Sequence, residues 1–229
     1  MSGLSCLQTP FPSKQDRLFF FLSPQSDAKI APLRVVSSLR RGIMEDKIKA
    51  DIEEHIALFE EVKTSLLPNI VSMGRLMRSV LDKGNKILAA GNGGSAADAQ
   101  HFVAELVGRY LKERAPLAAI ALTTDTSILT AVGNDYGFDH IFSRQVAGLG
   151  KPGDLFLGIS TSGNSPNLVN AFQVAKENGV ITLALVGKQG GPMMEMADHC
   201  VLVPSQNTPR IQEAQQWIWH TWCDLIDSL

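Results

Sequence analysis

The stretches KILAAGNGGS (residues 86–95) and DLFLGISTSGNS (residues 154–165) decide the fold. Each is a short apolar run that passes directly into a turn of small, glycine- or hydroxyl-rich residues, and each turn opens a helical pattern. Apolar runs alternating with helical segments are the signature of βαβ units and a parallel sheet. Working outward, the same alternation predicts strands over Lys86–Ala90, Ala118–Leu122, Asp154–Ile159, Val180–Val186 and His199–Val203. Helices are predicted over Ser95–Tyr110, Phe138–Leu149, Pro166–Asn178 and from Arg210 to the C-terminus. The expected fold class is α/β, a doubly wound three-layer sandwich around a central parallel sheet, with N-terminal helices added.

Those added helices start at Met44. The pattern MEDKIKADIEEHIALFEEVKTSLL puts Ile48, Ile52, Ile56, Leu58, Phe59 and Val62 near one helical face. Pro68 punctuates it, and a second helix runs to about Asp82, where Lys83, Gly84 and Asn85 supply a stop. No catalytic residue types cluster there, so both helices are read as packing elements, on the domain or on a second subunit. Residues 1–43 differ in character: Pro10, Pro12, Pro24 and Pro32 interrupt them and acids are few. They are expected to be a disordered or non-native extension to a domain of residues 44–229, with a targeting peptide as the alternative. The apolar run Leu18–Leu22 is too short for a secretory signal.

Composition excludes several functions. At 229 residues, 45% hydrophobic and 19% charged, one domain with a substantial core is expected. A net charge of −2 gives no general attraction for nucleic acid or anionic membrane, so an anion has to be held by local geometry. No apolar run approaches the roughly 20 residues of a bilayer span. Cys6, Cys200 and Cys223 lie far apart without a CxxC pair, which argues against a disulfide framework and for a reducing cytoplasm.

The turns Gly91–Ser95 and Ser160–Ser165 both follow strands, and ligands of open α/β sheets bind at strand C-termini. A helix N-terminus there offers unpaired N–H groups and the positive end of its dipole to an anion. Glycine lets backbone approach closely, and hydroxyls add donors without formal charge. Neither turn continues into GK[ST] or has GxGxxG spacing, which demotes nucleotides. Either turn alone would read as a tight turn with a helix cap. Two of them in one sheet favour phosphate.

His101 and Glu105 are four apart and share a helical face. Gln212 and His220, eight apart on the last helix, lie about 80° around it and can lean toward a shared cleft. Two imidazoles, a carboxylate and an amide suit a borderline-hard divalent ion, zinc first. By spacing alone, His101 and Glu105 read more readily as a surface hydrogen bond than as metal ligands.

The order and spacing of these segments resemble the sugar isomerase (SIS) domain family. The turn STSGNS is similar to its phosphosugar loop, and GNGGS to the loop of its phosphoheptose isomerase branch. His101, Phe102, Glu105 and Arg109, then VGNDYGF (residues 132–138), then RIQE (residues 210–213) with His220, follow that branch in order. The likeness spans Met44–Leu229. It implies conversion of sedoheptulose 7-phosphate to D-glycero-D-manno-heptose 7-phosphate through an enediol, in heptose precursor biosynthesis. By the same resemblance Glu105 is the base and His220 its acid/base partner. One zinc per subunit is held by His101, Glu105, Gln212 and His220. Substrate contacts fall on Asn92, Gly93, Gly94, Glu105, Asn134, Asp135, Ser160, Thr161, Ser162, Ser165 and Gln212. The family also implies a homotetramer with sites at subunit boundaries.

Several positions stay open at this level. Ser95 is either a contact or a helix cap, Arg109 either a ligand contact or a surface ion pair, and Asn134 with Asp135 either a contact or a turn. Pro209 stands where many members carry an acid, which leaves the exact sugar in doubt. Trp217, Trp219 and Trp222 are read as helix packing or interface rather than a sugar platform. The rival function is a non-catalytic SIS regulator that binds the bacterial replication initiator, whose C-terminal segments read like residues 223–227. Such a module has no need for Glu105 and His220. A transcription-factor sensing domain would call for a DNA-binding segment, and the N-terminal stretch has no helix-turn-helix pattern.

Overall fold

The computed structural model describes residues 33–228, with side chains from residue 42 onward. The chain divides between Asp46 and Lys47, and the C-terminal unit carries the whole sheet. Helix α1 spans Leu33–Ser65, so it begins eleven residues ahead of the expected start at Met44. The expectation for residues 1–32 lies outside the described residues.

All five predicted strands form: β1 Ile87–Gly91, β2 Ala119–Ala121, β3 Leu155–Ser160, β4 Ile181–Val186 and β5 His199–Leu202. They pair in the order β2-β1-β3-β4-β5, every pair parallel. Alternate strand residues point to opposite faces. Ile87, Ala89, Leu155, Leu157, Ile159, Leu183 and Leu185 therefore join one core with helices α2 (Leu67–Asp82), α3 (Gly94–Val107) and α8 (Thr208–Ser228). Leu88, Ala90, Phe156, Ala184 and Val186 join the other with α5 (Ser143–Leu149), α6 (Pro166–Glu177) and α7 (Gly191–Met196). This is the doubly wound three-layer sandwich expected. Burial on both faces explains why β1 and β3 read as unbroken apolar runs.

The structure also corrects some boundaries. Helix α4, Thr126–Tyr136, was not anticipated; Asp125 caps it by accepting from the Ile128 N–H at 2.9 Å, and Gly137 at φ 90° ends it. The helix expected over Phe138–Leu149 is instead a 3-10 turn, Phe138–His140, followed by α5. Helix α3 stops at Val107, short of Tyr110. On α1 the apolar stripe is continuous but unevenly covered: Leu58 and Val62 are buried, whereas Ile48, Ile52 and Ile56 are more than half exposed.

Helix α8 is bound to the sheet by its own polar groups. Gln215, fully buried, donates to the carbonyls of Ser160 (3.1 Å) and Leu185 (3.0 Å) at the ends of β3 and β4. Trp222 donates to Ile70 O at 3.0 Å. Trp219 and Trp222 are fully buried, and half-exposed Trp217 lies edge-on to Phe59 at 5.6 Å, so the tryptophans are packing residues as expected.

Because β2 lies on one side of β1 and β3 on the other, the winding reverses between β1 and β3. That reversal opens a crevice beyond the strand C-termini, the usual ligand site of such sheets.

Candidate active site at the sheet reversal

Both marked turns flank this crevice. After β1 the chain folds back so tightly that a Cβ on Gly91 would lie 2.4 Å from Ser95 O. Gly93, at φ 56°, takes the N-cap position of α3, so Ser95 is buried in the first helical turn and does not cap it. After β3, Ser160 Oγ accepts from the Gly163 N–H (3.0 Å) and the Ser162 N–H (3.4 Å), and Ser162 Oγ accepts from the Asn164 N–H (3.3 Å). Two of the four hydroxyls thus shape the turn. Those of Thr161 and Ser165 have no side-chain hydrogen bond among the described residues, and Ser165 occupies the N-cap of α6 without capping it. The two turns are joined: the Asn92 amide donates to Asn167 Oδ1 at 3.0 Å, and Asn167 donates back to Asn92 Oδ1 at 2.9 Å.

Two turns of α3 beyond Gly94, the side chains of His101 and Glu105 meet His220 of α8. One donor atom from each lies within 4.8 Å of the other two. His101 Nε2 and Glu105 Oε1 are 2.9 Å apart. The rings of His101 and His220 cross at 87° with centroids 5.2 Å apart, and Tyr110 stacks on His220 at 5.7 Å. Trp219 sets its edge against His101 at 4.8 Å. Burial, then the neighbouring His101, lower the pKa of His220, and the Glu105 carboxylate opposes both. An imidazole held neutral this way can accept a proton at neutral pH.

The remaining expected residues divide. Gln212 lies against the first turn, its amide nitrogen 2.9 Å from where a Cβ on Gly94 would stand. Gly94, Asp98, Pro209, Gln212, Glu213 and Gln216 line one cavity of about 300 Å³. Pro209 forms part of that wall, where an acid would have added an acceptor. Asn134 and Asp135 sit exposed in the last turn of α4, bonded to each other at 2.8 Å, and belong neither to the triad nor to this cavity. Arg109 pairs with exposed Glu113 at 3.5 Å, the surface alternative.

Asp98, Tyr110 and Asn167 are site neighbours that sequence reasoning did not single out, and Trp219, read there as packing, borders the site as well. Burial raises the pKa of Asp98, partly offset by the Trp219 indole N–H and then by His101. That N–H reaches no partner at full hydrogen-bond geometry, so the Asp98 contact is electrostatic. A helical spacing signal existed for Asp98, which stands three residues before His101 and so shares its face. None existed for Asn167, 75 residues from its partner.

Comparison with known proteins agrees with this geometry. A family profile described as SIS domain matches residues 52–187. Phosphoheptose isomerase of Geotalea daltonii is 52% identical over 185 residues, covering 81% of this chain and 96% of the relative. That of Campylobacter jejuni is 54% identical over 181 residues, covering 79% and 97%. Among solved structures, phosphoheptose isomerase from Neisseria gonorrhoeae superposes with a TM-score of 0.77 at 47% identity, covering 81% of this chain and 100% of that one. The crevice between β1 and β3, the two turns beside it and half the residues of close relatives agree on one assignment: the chain belongs to the SIS domain family, in its phosphoheptose isomerase branch.

Proposed function

We propose that this chain isomerises sedoheptulose 7-phosphate to D-glycero-D-manno-heptose 7-phosphate through an enediol, for heptose precursor biosynthesis. The observation that carries the reading is the meeting of a carboxylate from α3 and an imidazole from α8, one donor atom of each within 4.8 Å of the other. They meet beside two turns built to hold an anion, in a chain about half identical to phosphoheptose isomerases.

In this reading the phosphate rests on the N–H groups at the starts of α3 and α6, with Thr161 and Ser165 turning free hydroxyls toward it and Ser160 and Ser162 holding the turn in shape. Asn92, Gly93 and Gly94 supply the facing wall, and Gln212 binds sugar hydroxyls. Asn134 and Asp135 reach the substrate only if α4 or a second subunit brings them closer. Seven residues separate Gly94 from His101, about 10 Å at 1.5 Å per residue. That distance is comparable with an extended seven-carbon sugar phosphate. The far end of the sugar then lies at Glu105, which removes the proton from C1 of the ketose. His220 moves a proton between the two oxygens of the enediol, and Glu105 returns its proton to C2. Nothing is oxidised or reduced overall.

In this reading a zinc ion would be held by His101, Glu105 and His220, whose donor atoms already cluster, and by Gln212 once its amide swings away from Gly94. Donor atoms about 2.0–2.1 Å from a tetrahedral zinc stand roughly 3.4 Å apart. The spacings within 4.8 Å among His101, Glu105 and His220 close to that with small side-chain rotations. Such an ion would polarise the substrate carbonyl as a Lewis acid.

We further place the protein in the cytoplasm, as a homotetramer with sites at subunit boundaries. Free thiols at Cys200 and Cys223 support the reducing compartment. The exposed Ile48, Ile52 and Ile56 stripe supports association. Among the described residues no helix is long and apolar enough to cross a membrane. A replication-initiator-binding regulator is not favoured, because its task would leave the Glu105 and His220 couple without use.

The test is incubation of purified protein with sedoheptulose 7-phosphate, with and without a chelator, followed by product analysis. Turnover should be lost on chelation and restored by zinc. Glu105→Gln should lower turnover by about 10²- to 10⁴-fold while leaving sugar-phosphate affinity within a few-fold. Retained turnover in that variant would reject Glu105 as the base.

A further inference from the structure

Helix α3 ends at Val107: the Gly108 N–H reaches back to Ala104 O at 2.8 Å, but the carbonyls of Glu105, Leu106 and Val107 have no partner within the helix, and Leu106 O is met from outside by the Leu117 N–H at 3.0 Å. One side chain satisfies two of them. Arg114 donates from one terminal nitrogen to Glu105 O at 2.9 Å and from the other to Leu106 O at 2.9 Å and Ala115 O at 3.1 Å. Its Nε donates to Asp227 Oδ1 of α8 at 2.6 Å. The pair is sequestered, with the Asp227 side chain fully buried and that of Arg114 16% exposed. Asp227 Oδ2 in turn accepts from the N–H groups of Leu111 (3.3 Å) and Lys112 (3.4 Å), and Lys112 Nζ donates to Asp227 O at 3.2 Å. Those bonds hold the segment that carries Tyr110, whose ring stacks on His220.

We propose that Arg114 and Asp227 are positioning residues for the reaction, a clamp that sets the separation of Glu105 on α3 from His220 on α8. Arg114 grips the backbone of Glu105 itself. Asp227 fixes where Tyr110 presses on His220 and ties α8 to the end of α3. Nothing else described spans these two helices at that end with charge-assisted bonds, which are stronger and more directional than neutral ones. The planar fork of Arg114 serves four acceptors at once, which a lysine ammonium cannot match. The clamp lies at the end of α3 opposite Gly94, away from both anion-holding turns, so its loss should affect chemistry and metal geometry rather than phosphate binding. Misplacement of a reacting group by about 1 Å can lower rate by as much as 10²-fold.

This inference rests on the proposed isomerase site, and the experiment separates the two. Asp227→Asn and wild type, each checked for folding by circular dichroism and assayed well below its Tm, are compared in sedoheptulose 7-phosphate turnover and in Co²⁺ binding followed by visible absorption. The expected result is a kcat lowered by roughly ten- to a hundredfold, KM within about threefold of wild type, and Co²⁺ affinity weakened by about tenfold. Unchanged kcat and Co²⁺ affinity alongside a lowered Tm would reduce the pair to a structural tie and overturn the proposal. A KM rising in step with the loss of kcat/KM would overturn it too. If Asp227→Asn does not fold, Arg114→Lys, which keeps the charge and loses the fork, is read by the same two measurements. If wild type itself fails to turn over the sugar, the isomerase reading falls, and the Co²⁺ comparison still decides the clamp.

Discussion

Two glycines beside the crevice do different work, and the difference is measurable. Gly163 holds φ 67° and a Cβ there would stand 1.8 Å from Gly190 O, a backbone atom that cannot swing aside. Gly163→Ala combines a left-handed backbone with a clash, so it should destabilise the protein by about 2–3 kcal/mol, read as a lowered denaturation midpoint. Gly94 has no such backbone demand, since it is already the first residue of α3. A methyl group there meets only the Gln212 amide, at 2.9 Å from Nε2. Gly94→Ala should therefore leave the midpoint nearly unchanged and lower kcat/KM about tenfold, by pushing Gln212 off its position. A Gly94→Ala enzyme with full activity would remove Gln212 from the site. These roles were legible only in part: the turns announced themselves by composition, but which glycine serves the backbone and which serves a neighbour depends on Gly190, at the start of α7, lying against Gly163 and on Gln212 of α8 lying against Gly94.

At the scale of elements, β1 and β3 are stapled at the end remote from the site. Asp154, buried at the start of β3, accepts from Lys86 N (3.0 Å), Lys86 Nζ (2.5 Å) and Lys151 N (2.8 Å). Burial acts to raise its pKa, but these donors outweigh it and the net direction is downward. A carboxylate with a depressed folded-state pKa adds stability above its unfolded pKa of about 3.9 and loses it as pH falls through the folded value. Asp154→Asn should accordingly cost about 2–3 kcal/mol at pH 7, and its difference from wild type in urea unfolding should shrink below about pH 4. A difference that stays constant from pH 7 to pH 3 would contradict the assignment. The strands themselves were readable because burial on both faces leaves an apolar run with turn residues at each end. Helix α4 was hidden by its Thr, Ser, Asn and Asp content, although Asp125 three residues ahead of Ile128 was a usable start signal. The Asn92 and Asn167 pair could not have been read at all, since it depends on strand order and not on local period.

For the whole molecule, a single chain leaves two features incomplete. His101 is 48% and Glu105 21% exposed in their side chains, an open setting for a reaction that gains from excluding water. At the same time Ile48, Ile52 and Ile56, one helical turn apart along α1, are 55%, 53% and 56% exposed. A large aliphatic residue that becomes buried contributes roughly 1.5–3 kcal/mol, so a row of three presents a strong incentive for another subunit to cover it. Both features are resolved if association through this stripe also closes the site. Introducing a charge into the row, as in Ile52→Glu, adds no contact within the triad but opposes burial of the face. Light scattering should then report wild type at four chains and the variant at fewer. Turnover in the variant should fall while its Co²⁺ affinity stays near wild type, because His101, Glu105 and His220 all come from one chain. A variant that remains four-chained, or that dissociates and keeps full turnover, would separate assembly at this stripe from the chemistry.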